Sequence, residues 1–305
     1  MTKIDEREVQ AIIQRVRERL GEGVPTPPAP TVPRPGARPS RAASVGPGDG
    51  IFPTIDEAVA AARTAFQQYR DLGLEIRRAV IESIRRSMRE HAQHLARLAH
   101  DETGLGRYPD KVAKNLLVTN KTPGPEDLEP TVWTGDAGTT ITEYAPWGVI
   151  ASITPTTNPT STIINNTISI LSAGNAVVFN VHPNAKRVSV ENIRLINQAI
   201  VAAGGPPNLV TAIPEPTIES AQQLMRHPDV PVLLVTGGPA VVREALATDK
   251  RAITAGPGNP PVVVDETADI EKAGRDIVFG ASFDNNIICT DEKEVFVVAT
   301  VADEL

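Results

Sequence analysis

Only one cysteine, Cys289, occurs in 305 residues, so neither an internal disulfide nor a metal-thiolate cluster can form. The five histidines are scattered without His-x-x-x-His spacing, and no metal site is expected. No apolar run approaches the ~18 residues that span a bilayer. The N-terminus carries charges where a secretory signal has its apolar stretch. These absences lead to the expectation of a cytoplasmic protein with no membrane partner. Positive charge is also short: a net charge of -7 repels a phosphate backbone, which argues against nucleic acid as a partner. The Gly-x-Gly-x-x-Gly fingerprint of ordinary dinucleotide folds is missing as well.

What is present begins with an amphipathic pattern over residues 1–20. Val9, Ile12, Ile13, Val16 and Leu20 fall on one helical face, and Arg, Glu and Gln fill the other. A mitochondrial presequence is also amphipathic, but Asp5, Glu6, Glu8 and Glu18 contradict its acid-poor composition. Residues 21–50 read as a tether, with eight prolines after Val24 and no periodic apolar positions. The short helix therefore needs a cover for its stripe. Its own body, a second copy or a separate partner all serve.

Helical patterns follow from Thr54, over residues 74–99 and over residues 111–120, the last stopped by Pro123-Gly124-Pro125. Residues 131–134 and 139–144 read as a hairpin. From Trp147 strands alternate with helices, the strands at residues 149–153, 176–181, 209–212 and 232–235. Their runs are apolar throughout, as parallel strands covered on both faces require. The fold class expected is α/β, a doubly wound parallel sheet.

Four stretches carry possible chemistry. Cys289 ends the polar loop Phe283-Asp284-Asn285-Asn286-Ile287-Ile288, between a helical pattern and the strand-like residues 295–298. A lone cysteine is commonly a small buried hydrophobe, yet a thiolate on a loop is also the strongest nucleophile a protein offers at neutral pH. Asn158 follows the strand at 149–153 within Pro155-Thr156-Thr157-Asn158-Pro159, where it is either a turn former or an amide donor at the ligand-binding edge of the sheet. Gly237 and Gly238 precede Pro239 at a helix start, a common turn and also a phosphate site. His182-Pro183 follows the strand at 176–181, and Thr254 precedes Ala255-Gly256-Pro257-Gly258.

Taken together, these stretches resemble the aldehyde dehydrogenase superfamily, and Asp-Asn-Asn before the cysteine is similar to its CoA-acylating branch. That branch includes the propionaldehyde and acetaldehyde dehydrogenases of bacterial microcompartments. The resemblance implies a nucleotide-binding domain at residues 51–268, followed at 269–305 by the beginning of a catalytic domain that continues past Leu305 in the family. It implies Cys289 as nucleophile and Asn158 as oxyanion donor. It puts NAD against Pro155, Thr156, His182, Pro183, Gly237 and Gly238, although the family's lysine before that proline is replaced by His182. Thr254 stands where hydrolytic members have a general-base Glu, so the acyl acceptor implied is coenzyme A, not water. The implied substrate is a short aliphatic aldehyde. Residues 1–20 resemble the encapsulation peptides that bind microcompartment shell proteins, and a homo-oligomer is expected. An acyl-phosphate reductase of the same fold, and a non-catalytic nucleotide-binding or shell-interaction fragment, stay open as alternatives.

Overall fold

Thr54 starts the first helix as its side chain allows, accepting the Glu57 N–H at 3.3 Å and leaving α1 (Ile55–Arg70) to bury Ile55, Ala58, Val59, Ala62, Ala65 and Tyr69. The computed structural model describes residues 48–305, all within the unit Val45–Leu305. The helix expected over residues 1–20 lies outside the described residues, as does most of the tether. Gly50, read as the end of the tether, is already buried, and its carbonyl accepts the Ala212 N–H at 2.8 Å. Helix α2 (Leu74–Thr103) runs one turn beyond its expected end, to the left-handed Gly104. Helix α3 (Tyr108–Lys121) is unusual in its polarity. Its buried residues are Asp110, Lys111, Lys114, Asn115 and Thr119, while Leu117 is exposed.

The expected hairpin is present as antiparallel β1 (Thr131–Gly135) and β2 (Gly138–Thr142), exposed along its whole length. Then come β3 (Val149–Ile153), α4 (Pro159–Ser172), β4 (Ala176–Asn180), α5 (Lys186–Ala202), β5 (Val210–Ala212), α6 (Ile218–Arg226), β6 (Val232–Thr236), α7 (Pro239–Leu246) and β7 (Arg251–Ala255). The sheet is parallel throughout in the order β5-β4-β3-β6-β7. Every residue of β3, β4 and β5 is buried, which is why their sequences are largely apolar on both faces, with Ser152, Asn180 and Thr211 the exceptions. The chain winds outward from β3 to β5, then returns to add β6 and β7 on the other side. The carboxyl ends of β3 and β6 therefore flank the point where the winding reverses, the usual place for a ligand crevice.

Two strands escape the sequence reading. Strand β7 is an edge strand with alternating exposure, so it lacks a continuous apolar run, and Thr254 belongs to it, opposite Val235. Strand β8 (Pro261–Val264) pairs in parallel with β9 (Glu294–Val297), the two connected through α8 (Ile270–Ser282). Strand β8 precedes residue 269, the boundary read from the sequence, and its partner follows it. Asp269 caps α8 by accepting the Lys272 N–H at 3.0 Å.

Candidate active site

The loop from α8 to β9 holds Cys289 through the side chains of Asp284, Asn286, Asp291 and Lys293. Asp284, Asn285 and Asn286 have φ of 47°, 59° and 58°, three successive left-handed residues of the types that tolerate this best. Asp284 is completely buried and explains how the turn is held. Its carboxylate accepts the Arg107 N–H at 2.6 Å and ion-pairs with Lys111 at 3.4 Å and with Lys114. Its own N–H donates to Asp110 Oδ2 at 2.9 Å. Further along, Lys293 Nζ donates to the Asn286 and Ile288 carbonyls at 2.9 and 3.2 Å, and Asp291 Oδ2 accepts the Ile288 N–H at 3.2 Å. Two glycines mark where other segments press on this loop. A Cβ on Gly106 would collide with the Asp284 carboxylate, and one on Gly258 with the Cys289 carbonyl.

Asn158 occupies the N-cap position of α4 but makes no capping bond. Instead its Oδ1 accepts from Lys114 Nζ at 2.6 Å, and its Nδ2 donates to Thr157 Oγ1 at 3.1 Å. Burial pushes the Lys114 and Lys111 ammoniums below the usual lysine range, against the opposing pull of Asp284. Burial also raises the Asp291 carboxyl, with Lys293 and Lys114 working the other way.

Asn158 and half-exposed Cys289 both line two cavities, one on either side of them. The first, of about 350 Å³, opens at the carboxyl ends of β3 and β6 and is walled by Pro155, Thr156, His182, Gly237, Gly238 and Gly258 among others. The second, of about 430 Å³, lies toward α3 and α4 and includes Lys114, Leu117, Val118, Phe283, Ile288 and Asp291. Of the residues singled out from the sequence, Cys289, Asn158, Pro155, Thr156, His182, Gly237 and Gly238 thus meet around the first cavity. Pro183 lies outside both walls and opens the turn Pro183–Ala185, in which the Asn184 N–H donates to His182 Nδ1 at 3.1 Å. Thr254 lines neither cavity. The sequence reading passed over Lys111, Lys114 and Asp110. Their signal is a helix whose charged residues repeat at the spacing of a buried face, next to a loop rich in Asp and Asn.

The chain, with its doubly wound parallel sheet and a cysteine loop brought to the switch point beside an asparagine amide, belongs to the aldehyde dehydrogenase family, which it matches over residues 52–305. Its relatives narrow the comparison to enzymes that make acyl-CoA. It is 56% identical over 257 residues to the acetylating acetaldehyde dehydrogenase EutE of Salmonella typhimurium, covering 84% of this chain and 55% of that protein. A propionaldehyde dehydrogenase from the fucose utilisation bacterial microcompartment of Clostridium phytofermentans is 48% identical with a TM-score of 0.80, over 84% of this chain and 59% of the other. The Rhodopseudomonas palustris propionaldehyde dehydrogenase, solved with bound CoA and an acylated cysteine, gives a TM-score of 0.81 at 51% identity over the same shares, 84% and 59%. The chain spans a little over half the length of these relatives.

Proposed function

We propose that the chain carries out the NAD-dependent oxidation of a short aliphatic aldehyde to its acyl-CoA, through a thioester on Cys289. The observation that carries this reading is the placement of Cys289 and Asn158 on a wall common to two cavities at the switch point of the sheet. The residues on the sheet side fit a dinucleotide. Helix α7 has Gly238 at its N-cap position with no side-chain cap, and Pro239 at its first position has no N–H to satisfy, which leaves the amides of Ala240 and Val241 for a pyrophosphate. Burial lowers the His182 pKa and keeps the ring neutral, while Lys293 is spent on the loop carbonyls. Neither offers a ready cation to a 2′-phosphate, which supports NAD over NADP.

The Cys289 sulfur adds to the aldehyde carbon, and the Asn158 NH2 with the Cys289 backbone N–H receives the developing oxyanion, each such donor being worth ~10²- to 10³-fold in rate. Bound NAD supplies the hydride acceptor. The acyl group then sits on sulfur, and the coenzyme A thiol displaces Cys289 as thiolate. Water finds no carboxylate base on the wall of the first cavity, which favours a thiol as the acyl acceptor.

We further propose a homo-oligomer joined through the exposed hairpin, residues 51–268 as the nucleotide-binding part with the nucleophile part beginning near 269, and a cytoplasmic site inside a microcompartment. Residues 1–20 would supply delivery to the shell, in keeping with the compartment from which the Clostridium relative comes. The test of the chemistry is Cys289→Ala. Acyl-CoA formation should vanish while NAD binding, followed by calorimetry, persists; near-normal NADH production by the variant would overturn the mechanism.

A further inference from the structure

We propose that Lys114 is the positioning residue that sets the amide of Asn158 with its NH2 group as the donor end, by giving one ammonium to both the Asn158 carbonyl oxygen and the buried Asp284 of the nucleophile loop. This rests on the function proposed above and adds a residue to it.

A lysine ammonium has three donors and no acceptor, so the amide atom 2.6 Å from Lys114 Nζ must be oxygen. That bond removes the freedom of a terminal amide to turn over. Of the two N–H groups on Nδ2, one goes to Thr157 Oγ1 at 3.1 Å, and the other is left for a ligand. Without Lys114 the Thr157 hydroxyl can serve either orientation, accepting from the NH2 or donating to the oxygen through its own rotor, and the flipped amide would offer an oxygen to an oxyanion. The cost of the arrangement points the same way. Lys111 and Lys114 have side chains 3% and 9% exposed, and both pair with a single carboxylate, that of Asp284. Asp284 also accepts the Arg107 N–H, and the neighbouring Asp110 pairs with the Arg107 guanidinium at 2.9 Å. One buried ammonium suffices to neutralise Asp284; burying a second is costly unless it has another partner. Lys114 has that partner and Lys111 does not. The contact spans 44 residues from Lys114 to Asn158 and 170 from Lys114 to Asp284, so one side chain ties the oxyanion donor to the nucleophile loop.

The test has two arms on the full chain. In the first, the side-chain NH2 resonances of Asn158, assigned by their loss in Asn158→Ala, are followed by 15N NMR. They should move in Lys114→Met and stay in place in Lys111→Met; this arm needs no turnover and so remains decisive if the proposed activity fails. Unmoved Asn158 resonances in Lys114→Met would overturn the proposal. In the second, kcat is measured in a double-mutant cycle. Asn158→Ala should lose ~10²- to 10³-fold. Lys114→Met should lose at least about tenfold in the wild-type background, within that ceiling, and nothing further in the Asn158→Ala background. Losses that multiply, or an equal loss in Lys111→Met, would show only a structural role. If Lys114→Met does not fold, Lys114→Gln enters both arms, since its amide still donates to Asp284 but is too short to hold both partners.

Discussion

Among single residues, Asp291 makes the most direct pH prediction. Burial raises its carboxyl pKa in the folded chain, so the folded state holds that proton more tightly than the unfolded one. The stabilisation belongs to the protonated form: it is complete below the ordinary Asp value of about 3.9 and is lost as pH rises through the folded value. At neutral pH an ionised Asp291 is therefore a liability. Asp291→Asn, which keeps an oxygen for the Ile288 N–H, should melt higher than wild type at about pH 7 and lose that advantage on acidification toward about pH 4. A melting difference that grows on acidification would contradict this. Gly258 is the second informative position. A Cβ there would run into the Cys289 carbonyl, so Gly258→Ala should shift the nucleophile backbone, change the rate of thiol alkylation by iodoacetamide and lower the melting temperature.

For individual elements, α3 explains what the sequence made legible and what it hid. Buried strands announced themselves, because β3, β4 and β5 are short, largely apolar runs on both faces, the signature of strands covered on both sides. Strand β7 did not, since only one face of an edge strand is covered and Ile253 points outward, 52% exposed. The candidate nucleophile and oxyanion donor were readable from motif resemblance. Their support was not, because charged residues on a helix ordinarily mean a solvated face, and in α3 Asp110, Lys111 and Lys114 face inward. Packing against the Asp284 carboxylate reverses the usual polarity, and no local pattern encodes a partner that far away in sequence. The same element gives a stability prediction. Asp284→Asn leaves two buried ammoniums without a carboxylate and should cost ~3–5 kcal/mol in urea unfolding. A loss below ~1 kcal/mol would mean the cluster is hydrated in solution.

At the level of the whole molecule, the β1–β2 hairpin stands out because it buries nothing of its own. Val132 faces Ile141 across the ladder, at 52% and 63% exposure, and Trp133 is 58% exposed on the opposite side. A two-stranded hairpin has little stability in isolation. In the proposed oligomer another copy covers it. Ile141→Glu, which puts a charge into that cross-strand pair, should lower the mass measured by light scattering without lowering the melting temperature of the sheet; an unchanged mass would place the interface elsewhere.

The pairing of Asp284 with Lys114 also bears on when the protein becomes reactive. It closes a loop of 170 residues, and the whole parallel sheet lies within that loop. Contacts so distant in sequence form only after the intervening structure has shortened the path between them, since the entropic cost of closure is met before the contact returns anything. During refolding the nucleophile loop should thus settle last: a pulse of iodoacetamide delivered after the sheet has regained its circular dichroism, but before Asp284 has docked on Lys114, should alkylate Cys289 at a rate different from that of the half-buried native thiol. The chain's one cysteine is thus set beside its oxyanion donor only once the sheet that carries that donor has formed.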